Sequence, residues 1–281
     1  MKKILVCANA DRVEKTELII DKILAKKLEA RVYFPFRSSE NFKYPELISC
    51  DPEEDAKDSD ILVCMGGDGT ILSCSKLASK AGIPVLGINY GHKGFIAALE
   101  PDEIELLDGI LDGNFETENR MMLEAKVIRD GETVFEDFGL NETVIKSAAS
   151  HPVKVTVFGD GVEITAFSGD GIIVATPTGS TAYSMSAGGP IVEPNAENLI
   201  LTPICAHSLN PRTVVLKGSR KVNIELASRV NTVLALDGNT TFSVFPGDVI
   251  EITKSRHITK LVVGTNRSFY EIVKRKLNTD I

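Results

Sequence analysis

The strongest constraint on the fold is a glycine-rich segment, Gly66-Gly67-Asp68-Gly69-Thr70, which follows an apolar run at 61–65 and precedes a helical stretch at 71–80. A buried strand that enters a helix through such a turn leaves backbone N–H groups free at the helix start, where they can bind phosphate. Glycine also lets the main chain approach a ligand closely. The segment therefore predicts phosphate chemistry, with the carboxylate of Asp68 at the site.

The same pentapeptide allows a second interpretation, in which it is a tight strand-to-helix turn and Asp68 is the N-cap of the helix. Two better-known phosphate-binding loops are excluded. No Gly-Lys-Ser/Thr follows at the spacing of a P-loop, and Gly67-Asp68-Gly69 lacks the third glycine of the dinucleotide fingerprint.

A second segment carries a high density of hydroxyl groups and glycines. Ser168-Gly169-Asp170-Gly171 precedes a β-rich run at 172–175, which leads into Thr176-Pro-Thr-Gly-Ser-Thr-Ala-Tyr-Ser-Met-Ser186 and then Gly188-Gly189-Pro190. Short donors and acceptors directly after a strand can surround a polar ligand such as a ribose or a pyrophosphate. Between the two segments, Asn141-Glu142 places an amide and a carboxylate in an apolar stretch. In the alternative interpretation, Asn141 marks the end of a strand and Glu142 is a charge in contact with solvent.

Taken together and in this order, the three segments resemble the NAD kinase family, and the resemblance covers most of the chain. It implies transfer of a phosphoryl group from ATP to the 2′-hydroxyl of the adenosine ribose of NAD, which gives NADP. It also implies NAD and ATP as partners, Mg²⁺ or another divalent metal as cofactor, and a homodimer or homotetramer. Edge strands in a β-rich domain offer surfaces for such an assembly.

The resemblance assigns roles to individual residues. It implies that Asp68 is the catalytic base, while ligation of Mg²⁺ by Asp68 is an alternative that the sequence leaves open. The other residues expected to bind substrate or nucleotide are Gly66, Gly67, Gly69, Thr70, Asn141, Glu142, His151, Asp170, Thr178, Thr181, Ala182, Tyr183, Ser184, Met185, Ser186 and Asn239.

Within this set, the resemblance places Asn141-Glu142 at the adenosine part of NAD, residues 178 and 181–183 around the nucleoside, and Asp170 at the nicotinamide end. Tyr183 can stack on a base while its hydroxyl stays hydrogen-bonded, although a core aromatic is the alternative. Asn239 stands where many relatives carry a glutamine. His151 could contact substrate, and it is interpreted equally well as a surface residue at the start of a strand.

Two other functions compete with this one. A lipid or sugar kinase from the wider group that shares the Gly-Gly-Asp-Gly turn is disfavoured by Asn141-Glu142 and by the segment at 176–190. A nucleotide-binding regulator without catalysis would bind NAD or NADP and would lose no activity on Asp68→Ala. No G-x-S-x-G motif supports a serine hydrolase.

Strand-like runs at 3–9, 31–34, 61–65 and 84–89 alternate with helical stretches. This pattern predicts a Rossmann-like α/β domain over residues 1–115. From about Met121, short strands separated by turns such as Asp237-Gly238 predict a β-rich, β-sandwich-like NAD-binding domain over 116–264. Helical spacing at 268–277 predicts a C-terminal helix that returns to the first domain, which then includes 265–281.

The 281-residue chain is 43% hydrophobic, enough for a sizeable core, and its net charge of −8 argues against a nucleic-acid partner. No apolar segment reaches membrane length, so no membrane partner is expected. The five cysteines form no C-x-x-C pair, which predicts reduced thiols and a cytoplasmic location. The four histidines lack metal-ligand spacing, so a structural zinc site is not expected.

Overall fold

The computed structural model describes residues 1–35, 41–90, 94–149, 151–207, 211–227, 230–264 and 268–277. The chain divides into two compact units, of which one comprises Met1–Asn119 with Thr259–Ile281 and the other Arg120–Ile258. None of the helices in the described part of the chain combines the length and the apolar character needed to cross a lipid bilayer.

The first unit is built on a parallel sheet, as the alternation of strands and helices predicts. In this sheet the strand Lys3–Cys7 lies between Glu29–Tyr33 and Ile61–Gly66, and Val85–Asn89 pairs with Ile61–Gly66. Short 3-10 helices at Ala10–Arg12, Pro45–Leu47 and Pro101–Leu106 lie between the main elements. The main elements, in chain order, are β1 (Lys3–Cys7), α1 (Val13–Ala25), β2 (Glu29–Tyr33), α2 (Pro52–Lys57), β3 (Ile61–Gly66), α3 (Asp68–Ala81), β4 (Val85–Asn89) and α4 (Leu107–Leu111).

The central strands of this unit are continuous apolar runs because both of their faces are covered. Every residue of β3 and β4 is buried, which is typical of a parallel sheet with helices on both sides. On one face, Ile4 and Val63 pack with Ile20 and Ile23 of α1 in a single core. Each such side chain contributes roughly 1.5–3 kcal/mol through its burial. This rigid sheet fixes the point at which the chain leaves β3.

The second unit is almost entirely β-structure, which agrees with the prediction of a β-rich domain. One short helix, α5 (Tyr183–Ser186), follows a 3-10 turn at Thr178–Thr181. The strands are β5 (Thr117–Arg129), β6 (Glu132–Gly139), β7 (Glu142–Ser147), β8 (Val153–Gly159), β9 (Val162–Gly169), β10 (Gly171–Ala175), β11 (Asn198–Ile204), β12 (Val214–Lys217), β13 (Val222–Leu226), β14 (Thr232–Leu236), β15 (Thr240–Val244) and β16 (Val249–Val262).

Two sheets pack face to face in this unit. One has the order β12-β11-β10-β7-β14-β15, and the other contains β16-β13-β8-β9 with β5 and β6 attached through β16. Ile145, Ile172 and Leu234 of the first sheet share a core with Val155 and Ile224 of the second. Alternating inward residues from two sheets make a sandwich, so the predicted fold class is confirmed.

Aspartate-glycine turns close several hairpins of the second unit. Asp130, Asp160 and Asp237 have φ of 52°, 48° and 48°, and the glycine after each also has a positive φ. Aspartate and glycine adopt this left-handed backbone at the lowest cost, which is why the pairs predict tight hairpins. The turn at Asp237 joins β14 to β15 beside the start of β7.

The end of the chain returns to the first unit, as the sequence predicts. Strand β16 runs from the second unit into the first, where Leu261 pairs with Val85 of β4. Helix α6 (Phe269–Leu277) follows and carries Arg275 and Lys276, which both bind the carboxylate of Glu100.

Candidate functional site

The glycine-rich turn lies between the carboxyl end of β3 and the start of α3. Gly67 is the N-cap residue and makes no side-chain capping bond, while Asp68 is the first residue of the helix. The interpretation of Asp68 as the helix N-cap is therefore wrong. Its carboxylate is engaged elsewhere, and the backbone N–H groups of the first turn carry the partial positive charge that attracts anions.

The carboxylate of Asp68 is held by two backbone donors from the loop after β4. The N–H of Phe95 donates to Oδ2 at 2.8 Å, and the N–H of Ile96 donates to Oδ1 at 3.2 Å. Burial raises the pKa of Asp68 above its usual value, although these two hydrogen bonds act in the opposite direction. The result is an oriented carboxylate that is more basic than an ordinary aspartate.

Gly66 and Thr70 are packed so closely that no side chain fits at position 66. A Cβ placed on Gly66 would overlap the Thr70 side chain, which is itself buried. Gly69, in contrast, is exposed, and a Cβ there would meet no atom within 4 Å. Gly66 and Gly69 thus have different roles, since the packing of the turn requires a glycine at position 66 but not at position 69.

Glu100, which precedes the 3-10 helix Pro101–Leu106, connects that segment to the end of β4 and to helix α6. Its carboxylate accepts hydrogen bonds from Asn89 Nδ2 at 2.8 Å and from Lys276 Nζ at 3.1 Å, and it pairs with Arg275. Burial alone would raise the pKa of Glu100, but these partners lower it below its usual value. The charges of Glu100 and Lys276 both act on Asp68, so this cluster belongs to the electrostatic surroundings of the candidate base.

In the second unit, Asp237 fixes the backbone of the Asn141-Glu142 motif. Its Oδ2 accepts the N–H of Leu140 at 2.7 Å, and its Oδ1 accepts the N–H groups of Asn141 at 2.8 Å and Glu142 at 3.1 Å. A Cβ on Gly139 would lie 2.8 Å from the same carboxylate. Three donors on one carboxylate make a rigid turn, which presents the two motif side chains in a fixed direction.

Both motif side chains carry a buried oxygen that lacks a partner among the described residues. The two atoms are Asn141 Oδ1 and Glu142 Oε2, and Thr178 Oγ1 is a third buried oxygen without such a partner. Burial and the nearby charge of Asp237 raise the pKa of Glu142 to about 8. Buried polar atoms normally find hydrogen-bond partners, so unpaired ones mark a place where a polar ligand is expected.

The hydroxyl-rich segment binds the Asn141 backbone from the other side. Thr176 donates from its N–H to the Asn141 carbonyl at 2.8 Å and from Oγ1 to the Leu140 carbonyl at 2.6 Å. A Cβ on Gly179 would overlap the Asn141 carbonyl. This packing brings Thr178 next to the Asn141-Glu142 motif.

Several hydroxyls of this segment are used by the fold itself. Ser180 Oγ accepts the N–H of Val192 at 3.0 Å, and the fully buried Ser184 Oγ lies 2.9 Å from Thr202 Oγ1. A count of hydroxyls in the sequence therefore overstates the number that can reach a ligand. The hydroxyl of Ser184, one of the predicted binding residues, has no access to solvent.

The remaining residues predicted in this segment lie at or near the surface. Tyr183 is 38% exposed, so the alternative of a core aromatic is wrong. Ser186 is also exposed, whereas Thr181, Ala182 and Met185 are half-buried.

Asp170 lies between two glycines at the junction of β9 and β10. Its side chain is exposed, while its N–H donates to the Ile204 carbonyl at 2.9 Å. A Cβ on Gly169 would lie 2.8 Å from that carbonyl, and one on Gly171 would overlap the Ile145 carbonyl. The flanking glycines therefore allow close packing of the backbone, which fixes the direction of the aspartate.

Asn239 and His151 are both exposed. Asn239 follows Asp237-Gly238 in the β14–β15 turn, where its N–H donates to the Leu236 carbonyl at 3.1 Å. From the sequence, Asp237 is predicted as a turn residue only, and Glu100 is not predicted as part of the site. The Asp237-Gly238 pair and Asn89 at a predicted strand end are the corresponding sequence signals, but neither indicates a partner.

Two family models match the chain in sequence order. Residues 5–115 match the ATP-NAD kinase N-terminal domain, and residues 140–263 match the ATP-NAD kinase C-terminal domain. The NAD kinase of Carboxydothermus hydrogenoformans is 40% identical over 228 residues, which cover 80% of this chain and 81% of the relative. The NAD kinase of Geobacter sulfurreducens is 38% identical over 229 residues, with coverage of 80% and 81%.

Two solved structures share the fold. The crystal structure of yeast NADH kinase complexed with NADH has a TM-score of 0.83 and 26% identity, and the match covers 100% of this chain and 89% of that chain. The crystal structure of an NAD kinase from Archaeoglobus fulgidus in complex with ATP has a TM-score of 0.76 and 26% identity, with 98% of each chain covered.

Proposed function

The chain belongs to the ATP-NAD kinase family, and from this premise we propose which of its residues perform the reaction. The reaction is transfer of the γ-phosphoryl group of ATP to the 2′-hydroxyl of the adenosine ribose of NAD, which gives NADP. Catalysis of phosphoryl transfer consists mainly of positioning and charge neutralisation. The residues must therefore hold NAD, bind phosphate and remove a proton from the 2′-hydroxyl. Because the chain belongs to this family, the alternative function of a lipid or sugar kinase is excluded.

Asp68 is the general base in this proposal. Its raised pKa makes it a better proton acceptor than an ordinary aspartate, and the two N–H donors from Phe95 and Ile96 keep its oxygens in place. Each carboxylate oxygen retains a lone pair beyond these bonds, so one can accept the ribose proton. The protonated form is then favoured by the same burial that raises the pKa.

The start of α3 is the proposed phosphate site. The helix has 14 residues, and its N-cap, Gly67, has no side chain to shield the backbone N–H groups of the first turn. Backbone N–H groups and the positive end of the helix dipole favour the charge of a polyphosphate.

We propose that Mg²⁺ or another divalent cation enters with the ATP phosphates. Asp68 suits such an ion because its lone pairs are hard oxygen donors beside the proposed phosphate site. The cation would neutralise negative charge on the transferred group. Ligation of this cation is therefore the second role that we propose for the carboxylate of Asp68.

For NAD, we propose that Asn141, Glu142 and Thr178 bind the adenosine part. The observation that carries this proposal is the set of buried oxygens, one on each side chain, that lack a partner among the described residues. A ribose hydroxyl, which both donates and accepts, or an adenine amino group would supply the missing hydrogen-bond partners.

The surface residues of the second unit have complementary roles in the proposal. Tyr183 stacks on a base, with Thr181, Ala182, Met185 and Ser186 around it, while Asp170 accepts from the nicotinamide end. Asn239 and His151 remain proposed contacts at their exposed positions. Asp170→Ala should raise the KM for NAD, and an unchanged KM would contradict its role.

Thr178→Val and Thr176→Val form a matched pair that tests the adenosine site. Thr178→Val removes a hydroxyl without a partner among the described residues, so we expect unchanged or increased stability together with a higher KM for NAD. Thr176 Oγ1 donates to Leu140 and accepts from Gly179, so Thr176→Val should cost stability, by roughly 1–3 kcal/mol. A KM that stays at the wild-type value in Thr178→Val would contradict the proposal.

We further propose a homodimer or homotetramer in the cytoplasm. Strands β12 and β9 lie at sheet edges and expose Val215 and Val162, which suits pairing between subunits. All five cysteines are free thiols, which suits a reducing compartment. A monomeric mass in light scattering at micromolar concentration would contradict the oligomer, and oxidation of these thiols in protein isolated from cells would contradict the location.

A further inference from the structure

Three cysteine thiols converge inside the first unit, and the proposed reaction uses none of them. Cys7 is the last residue of β1, Cys64 lies in β3, and Cys74 lies in α3. The three Sγ atoms lie within 4.8 Å of one another, and all three residues are fully buried. The sequence does not indicate this cluster, because no two of the three are close in the chain.

The fold explains why the thiols meet. Cys7 and Cys64 are register partners on neighbouring parallel strands, so their side chains leave the sheet on the same face. Helix α3 packs on that face and supplies Cys74. On the other side of Cys7, its register partner Tyr33 extends a hydroxyl to 3.3 Å from Cys74 Sγ and donates to it.

Packing alone does not require this arrangement. A free cysteine behaves as a small hydrophobic residue, so burial of apolar surface does not by itself call for three sulfurs and a phenol at one point. A zinc–sulfur bond of about 2.3 Å places tetrahedral ligand sulfurs roughly 3.8 Å apart. The observed separations therefore need a contraction of at most about 1 Å to match that geometry.

The cluster is closed off from water. All three cysteines are fully buried, so thiolates formed here would have no solvent to balance their charge. A divalent cation would compensate the negative charge of thiolates in this apolar position.

We propose that Cys7, Cys64 and Cys74 form a binding site for a soft divalent cation of the Zn²⁺ class. Thiolate ligands select such ions over Mg²⁺, which prefers oxygen. Each thiol that ligates the cation releases its proton to solvent, and no electron transfer is involved. Because Cys64 precedes the Gly66–Thr70 turn and Cys74 follows it, a bound cation would join β3 to α3 across the proposed phosphate site and stabilise the turn.

Cadmium is a suitable probe because its bond to thiolate gives an ultraviolet charge-transfer absorption. The test uses a Cys50→Ser/Cys205→Ser background, which removes the two exposed cysteines and keeps the cluster. This full-length variant is diluted from urea with and without Cd²⁺, and recovered kinase activity verifies refolding. We expect one Cd²⁺ per chain, the charge-transfer band and a rise of several degrees in the unfolding midpoint.

Single Cys7→Ala and Cys74→Ala variants in the same background complete the experiment. We expect each to weaken Cd²⁺ binding by at least 100-fold, while circular dichroism shows the folded protein. Binding of Cd²⁺ that persists in both variants would overturn the proposal. The background variant is decisive even if the alanine variants do not fold, since failure of the refolded protein with three intact thiols to retain Cd²⁺ would also overturn it.

Discussion

Asp237 Oδ1 accepts a hydrogen bond from the backbone N–H of Asn141 at 2.8 Å. This bond joins a hairpin turn between two strands to the motif that is proposed to bind the adenosine of NAD. The same carboxylate holds Leu140 and Glu142 through their N–H groups. Its charge also contributes to the raised pKa of Glu142. Asp237 therefore controls both the geometry and the ionisation of the proposed site without being assigned a contact with substrate.

The first prediction concerns Asp237→Asn. Asparagine tolerates the positive φ of this position, but its amide keeps only one acceptor oxygen, so a donor faces the N–H of Leu140. We expect a loss of about 1–3 kcal/mol in the free energy of unfolding and a higher KM for NAD, as measured by urea unfolding and steady-state assays. Asp130→Asn is the matched control, since Asp130 occupies an exposed Asp-Gly turn with φ of 52°. Equal effects of the two substitutions would contradict the role of Asp237.

The second prediction follows from the pKa of Glu142, which is raised to about 8 in the folded protein. The unfolded chain has the ordinary value near 4.5, so the folded state binds more protons between these two pH values. The stabilisation that protonated Glu142 gives to the folded state is fully present below about pH 4.5. It decreases as the pH rises through about 8, by at most about 1.4 kcal/mol per pH unit.

Glu142→Gln cannot ionise and supplies the control for this effect. We expect the free energy of unfolding of the wild type to fall relative to the variant between pH 5 and pH 8, when both are measured by urea unfolding across that range. Parallel pH profiles of the two proteins would show that Glu142 ionises normally in the folded state.

The third prediction distinguishes two glycines of the turn. In Gly66→Ala the new methyl group overlaps Thr70, so we expect a loss of about 1–3 kcal/mol in stability and reduced turnover, because the distortion lies two residues from Asp68. Gly69→Ala meets no neighbouring atom within 4 Å and should change stability by no more than about 1 kcal/mol, in the stabilising direction. Thermal and urea unfolding of both variants test this. A Gly66→Ala protein as stable as Gly69→Ala would contradict the packing argument.

The sequence predicts the fold well where local patterns determine it. The apolar run that ends at Gly66 is a buried strand, and Asp-Gly pairs such as Asp237-Gly238 close hairpins, because both depend on residues adjacent in the chain. The sequence also indicates that the second unit is a sandwich, since short strands at regular spacing have few other ways to bury one face.

Long-range partners are what the sequence does not supply. Asp68 meets N–H groups of Phe95 and Ile96, and Glu100 meets Lys276, across separations that no local pattern encodes. The inward direction of the Ser184 hydroxyl likewise depends on Thr202, which lies on another strand. Residue types thus predict the chemistry of the site, whereas the tertiary fold decides which side chains remain available for it.

The central claim is that the chain makes NADP and that Asp68 performs the proton transfer. The most direct measurement is NADP formation from NAD, ATP and Mg²⁺, coupled to an NADP-specific dehydrogenase, for wild type and Asp68→Asn, with NAD binding measured by calorimetry on both. We expect product from the wild type and turnover lower by roughly 10²-fold or more in the variant, with NAD binding within a few-fold of wild type. Unchanged turnover in Asp68→Asn would remove Asp68 from the mechanism. If the wild type binds NAD but forms no NADP, this result would contradict the kinase activity and indicate a nucleotide-binding regulator.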